Sequence, residues 1–251
     1  MDRIKVSACI VTYNNYEKCL KTISSLYKYT KGVDFTLFIS DNSDSDRTAQ
    51  EIARHFPQAV IIKNIGNKGF GFGHNQVLDK LDSDYHAVIN PDIIIEDDVL
   101  TQLAGVMRSD EEIGIITPKI LNPDRTEQFL PKLDPKIKYS VIGRLNRKSK
   151  LRKEYTMRDR FITDPTEIEF CTGCFMLIKT PLFKVLNGFD ERYFMYFEDA
   201  DLSRKVRKAN KIIFYPGCHV IHEWERTDTK SLKYFLIHLS SMFKYLYKWR
   251  K

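Results

Sequence analysis

The sequence predicts an α/β fold with a mostly parallel central sheet and helices on both faces. Two observations predict it. Short apolar runs without strict alternation recur through the first 120 residues, as strands buried on both faces require. Segments of helical period separate them, so each crossover between strands carries a helix. A chain of 251 residues with 43% hydrophobic content has the material for a substantial core.

Val6 to Thr12 is the first strand, rich in apolar and β-branched residues. Tyr16 to Tyr29 follows with Leu20, Ile23, Leu26 and Tyr27 at helical spacing. Phe35 to Ser40 is the second strand, and Asp46 to His55 a short helix capped by Asp46. Ala59 to Lys63 is the third strand, Gly73 to Leu81 a helix and His86 to Asn90 the fourth strand. Glu96 to Met107 is helical and Ile113 to Thr117 extended. From Leu121 to Pro165 periodicity is lost, which reads as a basic mobile excursion and not a second domain. Between Lys132 and Arg160 eleven Lys or Arg stand against three Asp or Glu. Strands resume at Glu167 to Cys171 and Phe175 to Lys179, and Thr180-Pro181 opens a helix. Ala200 to Ala209 is helical and Lys211 to Tyr215 extended. Between Lys230 and Lys251, Leu232, Phe235, Leu236, Leu239, Met242, Phe243 and Leu246 form an apolar stripe. The expected division is a main domain over 1–226 and an appended basic amphipathic helix over 227–251. Within the main domain, 1–120 and 166–226 flank the excursion at 121–165. The helix has two readings: it packs on the core, or it lies on an anionic membrane surface.

A net charge of +7 and a pI near 9.0 favour an anionic partner. No nucleic-acid-binding module is recognisable, so nucleic acid is not expected. No secretory leader or membrane-spanning run is visible, and the expected location is cytoplasmic. The five cysteines lack a zinc spacing and read as reduced thiols near strands.

Sheets of this kind bind ligands at the carboxyl ends of their strands. That rule selects Thr12-Tyr13-Asn14, Asp41-Asn42-Ser43, the stretch Gly66 to Asn75, and Asn90-Pro91-Asp92. Asp92 suits a hard divalent ion, Mg²⁺ or Mn²⁺, or else caps the following helix. Asp41 at a strand tip accepts from a base or ribose, or simply closes a polar loop. The glycines from Gly66 to Gly73 let backbone approach a ligand, but match neither the dinucleotide fingerprint nor the P-loop. Glu198 and Asp199 sit among Phe194, Met195, Tyr196 and Phe197. Burial and a like-charged neighbour raise a carboxylate's pKa, which suits a general base; helix-opening acids also answer the macrodipole. His219 and His222 follow the last predicted strand, and one of them can complete a metal site with Asp92.

Taken together, these segments resemble the family 2 inverting glycosyltransferases with the GT-A fold, and most of all their bacterial rhamnosyltransferase-type members. The resemblance runs from Val6 to Arg226. It implies that Thr12, Tyr13, Asn14, Asp41, Asn67, Gly69, His74, Asn75 and Asn90 bind the nucleotide. It implies Asp92 and His222 as metal ligands, Asp199 as the base with Glu198 beside it, and Thr172, Gly173 and Trp224 on the acceptor side. Two departures stand out: Asn90 replaces the first acid of the usual metal motif, and Glu-Trp-Glu-Arg follows His222 where relatives carry small residues. The implied donor is dTDP-rhamnose, with a UDP-hexose as the alternative, and the implied acceptor a glycan or lipid-linked glycan of the cell envelope. A nucleotide-binding scaffold without activity would share the fold, and a homo-oligomer is compatible with all of these readings.

Overall fold

The structure, a computed structural model, describes residues 3–130, 132–136, 138–139, 149–224 and 232–250. Parts of the expected basic excursion and the link at 225–231 lie outside the described residues. The strands are β1 (Lys5–Thr12), β2 (Asp34–Asp41), β3 (Val60–Lys63), β4 (Tyr85–Ile89), β5 (Ile93–Ile94), β6 (Ile113–Leu121), β7 (Thr166–Glu167), β8 (Phe175–Lys179) and β9 (Lys211–His222). The helices are α1 (Tyr16–Tyr29), α2 (Arg47–His55), α3 (Phe70–Asn75), α4 (Val99–Ser109), α5 (Lys150–Tyr155), α6 (Thr180–Val185), α7 (Glu198–Val206) and α8 (Leu232–Lys248).

All these strands join one sheet in the order β3-β2-β1-β4-β8-β6-β9-β5, with β7 also on β9. β3, β2, β1, β4, β6 and β9 share one direction. β8 runs against β4 and β6, and β5 and β7 run against β9. The sheet is therefore mixed but mainly parallel. Successive residues of β1 serve opposite faces. Ala8 and Ile10 pack with α1, α2 and α4, whereas Cys9 packs with α6 and α7. Ile23 and Leu26 of α1 are fully buried, and each contributes about 1.5–3 kcal/mol relative to exposure. All five cysteines are buried free thiols.

Three expectations are corrected. The helix expected over Gly73–Leu81 starts earlier and splits into α3 and a 3₁₀ turn at Leu78–Lys80. Gly69 sets that start: its φ is +108°, and a Cβ there would meet Phe194 O at 2.0 Å. Phe70 N–H donates to the same carbonyl at 3.0 Å. The last strand runs on to His222, absorbing Pro216 and Gly217 at an irregularity opposite Pro118 and Lys119. The strand expected over Glu167–Cys171 contracts to Thr166–Glu167, and the chain beyond bends into the site.

Helix α8 packs on the segment that leads into α7. Met242 and Tyr245 join Phe170, Tyr193, Phe197 and Ala200 in a separate cluster. Polar contacts reinforce it. Lys248 Nζ lies 2.8 Å from Asp201 Oδ2 and 2.7 Å from Asp190 Oδ2. Trp249 Nε1 donates to Asp201 Oδ1 at 2.7 Å, and Ser241 Oγ donates to Met195 O at 2.8 Å. Asp201 is fully buried, so these partners keep a charge tolerable that would otherwise be costly. Only part of the apolar stripe is covered: Leu232, Leu236, Phe243 and Tyr247 are 56–72% exposed. No helix among the described residues is long and apolar enough to cross a membrane.

Candidate active site

The loops after β1, β2 and β3 are bonded into one rim. Asn14 has left-handed backbone (φ 52°), and its N–H donates to Ser43 Oγ at 2.8 Å. Its side-chain amide brackets Asp44, donating to Oδ2 and accepting from the N–H. Tyr13 OH donates to the same Oδ2 at 2.9 Å. Thr12 lies buried beneath, its hydroxyl without a partner. Asn42 Nδ2 donates to Gly69 O at 3.2 Å, and Asn67 Oδ1 accepts from Gly69 N–H at 3.0 Å. Thr12, Tyr13, Asn14, Asn67 and Gly69 are thus brought together.

Three residues expected at the nucleotide, Asp41, His74 and Asn75, are held by protein partners. Asp41 is fully buried: its Oδ1 accepts from Ser43 N–H, and its Oδ2 meets Lys63 Nζ at 3.1 Å. The carboxylate forms the floor of the rim and not its surface. His74 is also fully buried, with ring centroids 4.5 Å from Phe70 and 5.8 Å from Phe189. Neither ring nitrogen has a hydrogen-bond partner, and burial pushes its pKa well below the usual histidine range, so the ring is neutral. Asn75 turns toward the segment before α7. Its amide accepts from Phe189 N–H and donates to Phe189 O, both at 2.9 Å, and also donates to Glu191.

Across the sheet, Asn90 and Asp92 follow β4, and His222 ends β9. Asp92 Oδ1 lies 3.3 Å from His222 Nε2, yet it is buried and makes no hydrogen bond. The reason lies behind the ring. Gln128 Oε1 sits 3.0 Å from His222 Nδ1, while Gln128 Nε2 donates to His222 O at 2.9 Å. With the amide fixed in that sense, Nδ1 carries the proton and Nε2 presents its lone pair. Asn90 Nδ2, at 3.4 Å from Nε2, faces the same lone pair. A carboxylate oxygen facing the open nitrogen of the neutral ring fits a shared cation. Among the described residues no group of three or more His, Cys, Asp or Glu forms a fuller metal site. Trp224 stacks on the His222 ring, with planes 6° apart, and is 40% exposed.

The acids of α7 sit next to this pair. Asn90 N–H donates to Cys174 O at 2.9 Å, and Gly173 N–H donates to Asp199 Oδ2 at 2.9 Å. Two adjacent residues, Gly173 and Cys174, therefore join the two acidic sites. Ala200 N–H donates to Asp199 Oδ1, which orients the carboxylate. Asp199 is half-buried and Glu198 buried, with Glu198 Oε2 unpartnered. Burial pushes Asp199 up to about 6, against the two N–H donors that lower it. Burial, and then the Asp199 charge, hold Glu198 well above the carboxylate range. Tyr196 and Phe197 hold left-handed backbone (φ 69° and 68°) immediately before α7. Thr172 contacts Cys174 Sγ at 3.4 Å through its hydroxyl.

Sequence reasoning missed Gln128 and Lys63. Gln128 falls in a basic stretch without periodicity. Lys63 had a faint mark, as a cation closing an apolar strand in register with Asp41.

Comparison with known proteins identifies the family and the fold. Residues 7–186 match the family model for glycosyl transferase family 2. The chain is 33% identical over 230 residues to the rhamnosyltransferase WbbL of Escherichia coli K12, covering 84% of this chain and 82% of that one. It is 24% identical over 228 residues to the N-acetylglucosaminyl-diphospho-decaprenol L-rhamnosyltransferase of Mycobacterium tuberculosis, covering 84% of this chain and 74% of that one. Among solved structures, GalNAc-T7 with UDP, GalNAc and Mn²⁺ superposes with a TM-score of 0.71 at 15% identity, over 99% of this chain and 48% of that one. The Pyrobaculum calidifontis mannosyltransferase PcManGT with GDP-Man and Mn²⁺ superposes at 0.66 and 12% identity, over 97% of this chain and 65% of that one. The chain spans about half of the first solved structure and about two thirds of the second, and at these identities both speak for the GT-A fold alone. The family match covers most of the chain, and the chain belongs to glycosyl transferase family 2.

Proposed function

We propose that this glycosyltransferase moves L-rhamnose from dTDP-rhamnose, with inversion, onto a hydroxyl of a lipid-linked cell-envelope glycan precursor. The observation that carries the reading is the junction at Gly173 and Cys174, which sets a cation-fitting pair beside a carboxylate tuned toward neutrality. The donor preference is supported by the two rhamnosyltransferase relatives. The Thr12–Asn14 and Asn67–Gly69 rim would hold the nucleotide, with Asp41 and Lys63 bracing it from below. Asp92 and His222 would hold Mg²⁺ or Mn²⁺, Gln128 would fix the tautomer of the ring, and Asn90 would contact the nucleotide. When bound, the ion supplies positive charge against the leaving diphosphate. Asp199 accepts the proton of the acceptor hydroxyl at its open lone pairs, since Gly173 and Ala200 already fix both oxygens. Glu198, kept protonated beneath it, stops a second negative charge from competing for that proton. Trp224 and Thr172 would flank the acceptor.

Calorimetry with dTDP-rhamnose and a panel of UDP- and GDP-sugars, with Mn²⁺ and with chelator, tests the donor. Binding of dTDP-rhamnose that needs the metal is expected; preference for a UDP-hexose would overturn the rhamnose assignment. Asp199→Asn should keep donor affinity and lose about 10²–10⁴-fold in kcat. Near-normal turnover by that variant would remove Asp199 as the base.

The reacting form of Asp199 is the ionised one, and its pKa lies near 6. The kcat/KM of the free enzyme is therefore expected to be flat above that value. Below it the rate should fall about tenfold per pH unit. A profile that stays flat down to pH 4.5 would contradict this.

Gln128→Leu removes the acceptor that fixes the His222 tautomer. Mn²⁺ affinity in the presence of nucleotide, read by paramagnetic resonance, should weaken about 10–100-fold. An unchanged affinity would separate Gln128 from the metal pair.

We also propose that α8 rests on an anionic membrane surface. At about 100° per residue, Leu232, Leu236, Phe243 and Tyr247 fall within an arc of roughly 60°. Leu236→Asp with Phe243→Asp should abolish co-sedimentation with phosphatidylglycerol vesicles; retained binding would leave α8 as a packing helix.

A further inference from the structure

A cavity of about 900 Å³ opens at the far end of α7 from the catalytic acids. From Asp199 to Arg207 the helix axis advances roughly 12 Å, so this space is separate from the site above. Six cations line it, Arg160, Arg204, Arg207, Lys208, Lys248 and Arg250, against two acids, Glu167 and Glu169. Lys248 is already neutralised by Asp190 and Asp201. The guanidinium groups are not so well served. Arg204 approaches Asp134 only to 3.5 Å. Arg207 lies 3.8 Å from Asp134 and 3.7 Å from Glu169, beyond hydrogen-bond distance in both cases. Asp134 Oδ1 already accepts from Tyr245 OH at 2.7 Å. Arg207 Nε is buried and has no hydrogen-bond partner at all. Trp249 forms a rigid wall, with Arg204 and Lys208 held over its ring at 4.7 and 5.2 Å. Cations at the end of a helix answer the macrodipole. That alone requires neither a cavity nor a buried guanidinium donor without an acceptor.

We propose that this cavity is a phosphate-binding site, formed by Arg204 and Arg207 at its base and by Arg160, Lys208 and Arg250 at its mouth. Arginine forks suit the geometry of phosphate oxygens, and a phosphate supplies the acceptors that Arg207 lacks. The ligand class is a phosphomonoester or diphosphate, carried either by a soluble metabolite or by a lipid headgroup. The inference does not depend on the donor or acceptor proposed above.

Calorimetry of the full chain with inorganic pyrophosphate, in EDTA and at low salt, tests it. The chelator removes the metal on which the Asp92–His222 pair would hold a diphosphate. Binding at one site is expected. It should weaken about tenfold or more in Arg207→Gln. It should weaken likewise in Arg160→Gln with Lys208→Gln, two exposed positions whose loss leaves the core intact. Added salt should weaken it steadily. Absence of binding, binding unchanged in both variants, or binding lost in Asp92→Asn would each overturn the proposal. Vesicles identify the source. Co-sedimentation with phosphatidic acid vesicles, whose headgroup is a phosphomonoester, that pyrophosphate competes away, and that the double variant loses, assigns a headgroup. Pyrophosphate binding without such competition assigns a soluble phosphate.

Discussion

The antiparallel pairing of β4 with β8 is the constraint from which the site follows. β4 ends at Ile89, opposite the first residue of β8, Phe175. The residue after β4 and the residue before β8 are therefore neighbours, and Asn90 N–H meets Cys174 O. A parallel strand in that place would enter from the other edge of the sheet and carry its loop away. Reversing β8 brings Thr172–Cys174 back to the edge where the parallel strands deliver their loops. Asp199, the cation-fitting pair and the rim of the first three loops converge there without any long connection between them.

Second to that constraint is the way buried charge is handled. Asp41, Asp199 and Asp201 are carboxylates within or beside the core, and each has a different company. Asp41 has a lysine and a backbone N–H, which tie it to β3 and to its own loop. Asp201 has Lys248, Lys205 and an indole N–H, which makes it the anchor of α8. Among the described residues Asp199 is met by backbone donors and by no cation, so burial lifts it toward neutrality. Three identical side chains are thus separated into a brace, an anchor and a carboxylate lifted toward neutrality by what stands beside them.

Much of this was legible in the sequence. The strand and helix alternation, the bounds of α1 and the edge at which the loops gather follow from periodicity and from the rule for parallel sheets. The motif order identified the acids of α7 and the Asp92–His222 pairing. What stayed hidden depends on contacts between distant segments. His74 and Asn75 stand in a glycine-rich stretch that reads as a ligand loop, yet their surroundings come from Phe189 and Glu191, more than a hundred residues away. Asp41 reads as a strand-tip ligand until Lys63 is known to reach it. Gln128 has no pattern around it, because its partner is a ring at the end of β9. The early start of α3 is set by Phe194, which no local rule could supply.

The left-handed pair at Tyr196 and Phe197 has a mechanical consequence. Backbone of that hand costs a side-chain-bearing residue roughly 1–2 kcal/mol. Two in succession make the entrance to α7 a loaded spring. Its catches lie on either side: Phe194 O is gripped by Phe70 N–H at the nucleotide rim, and Met195 O by Ser241 Oγ on α8. Whatever shifts the rim pulls one catch, and whatever shifts α8 pulls the other. Asp199 is mounted between them, so a shift of the rim or of the outer helix would reach its carboxylate through the same few bonds.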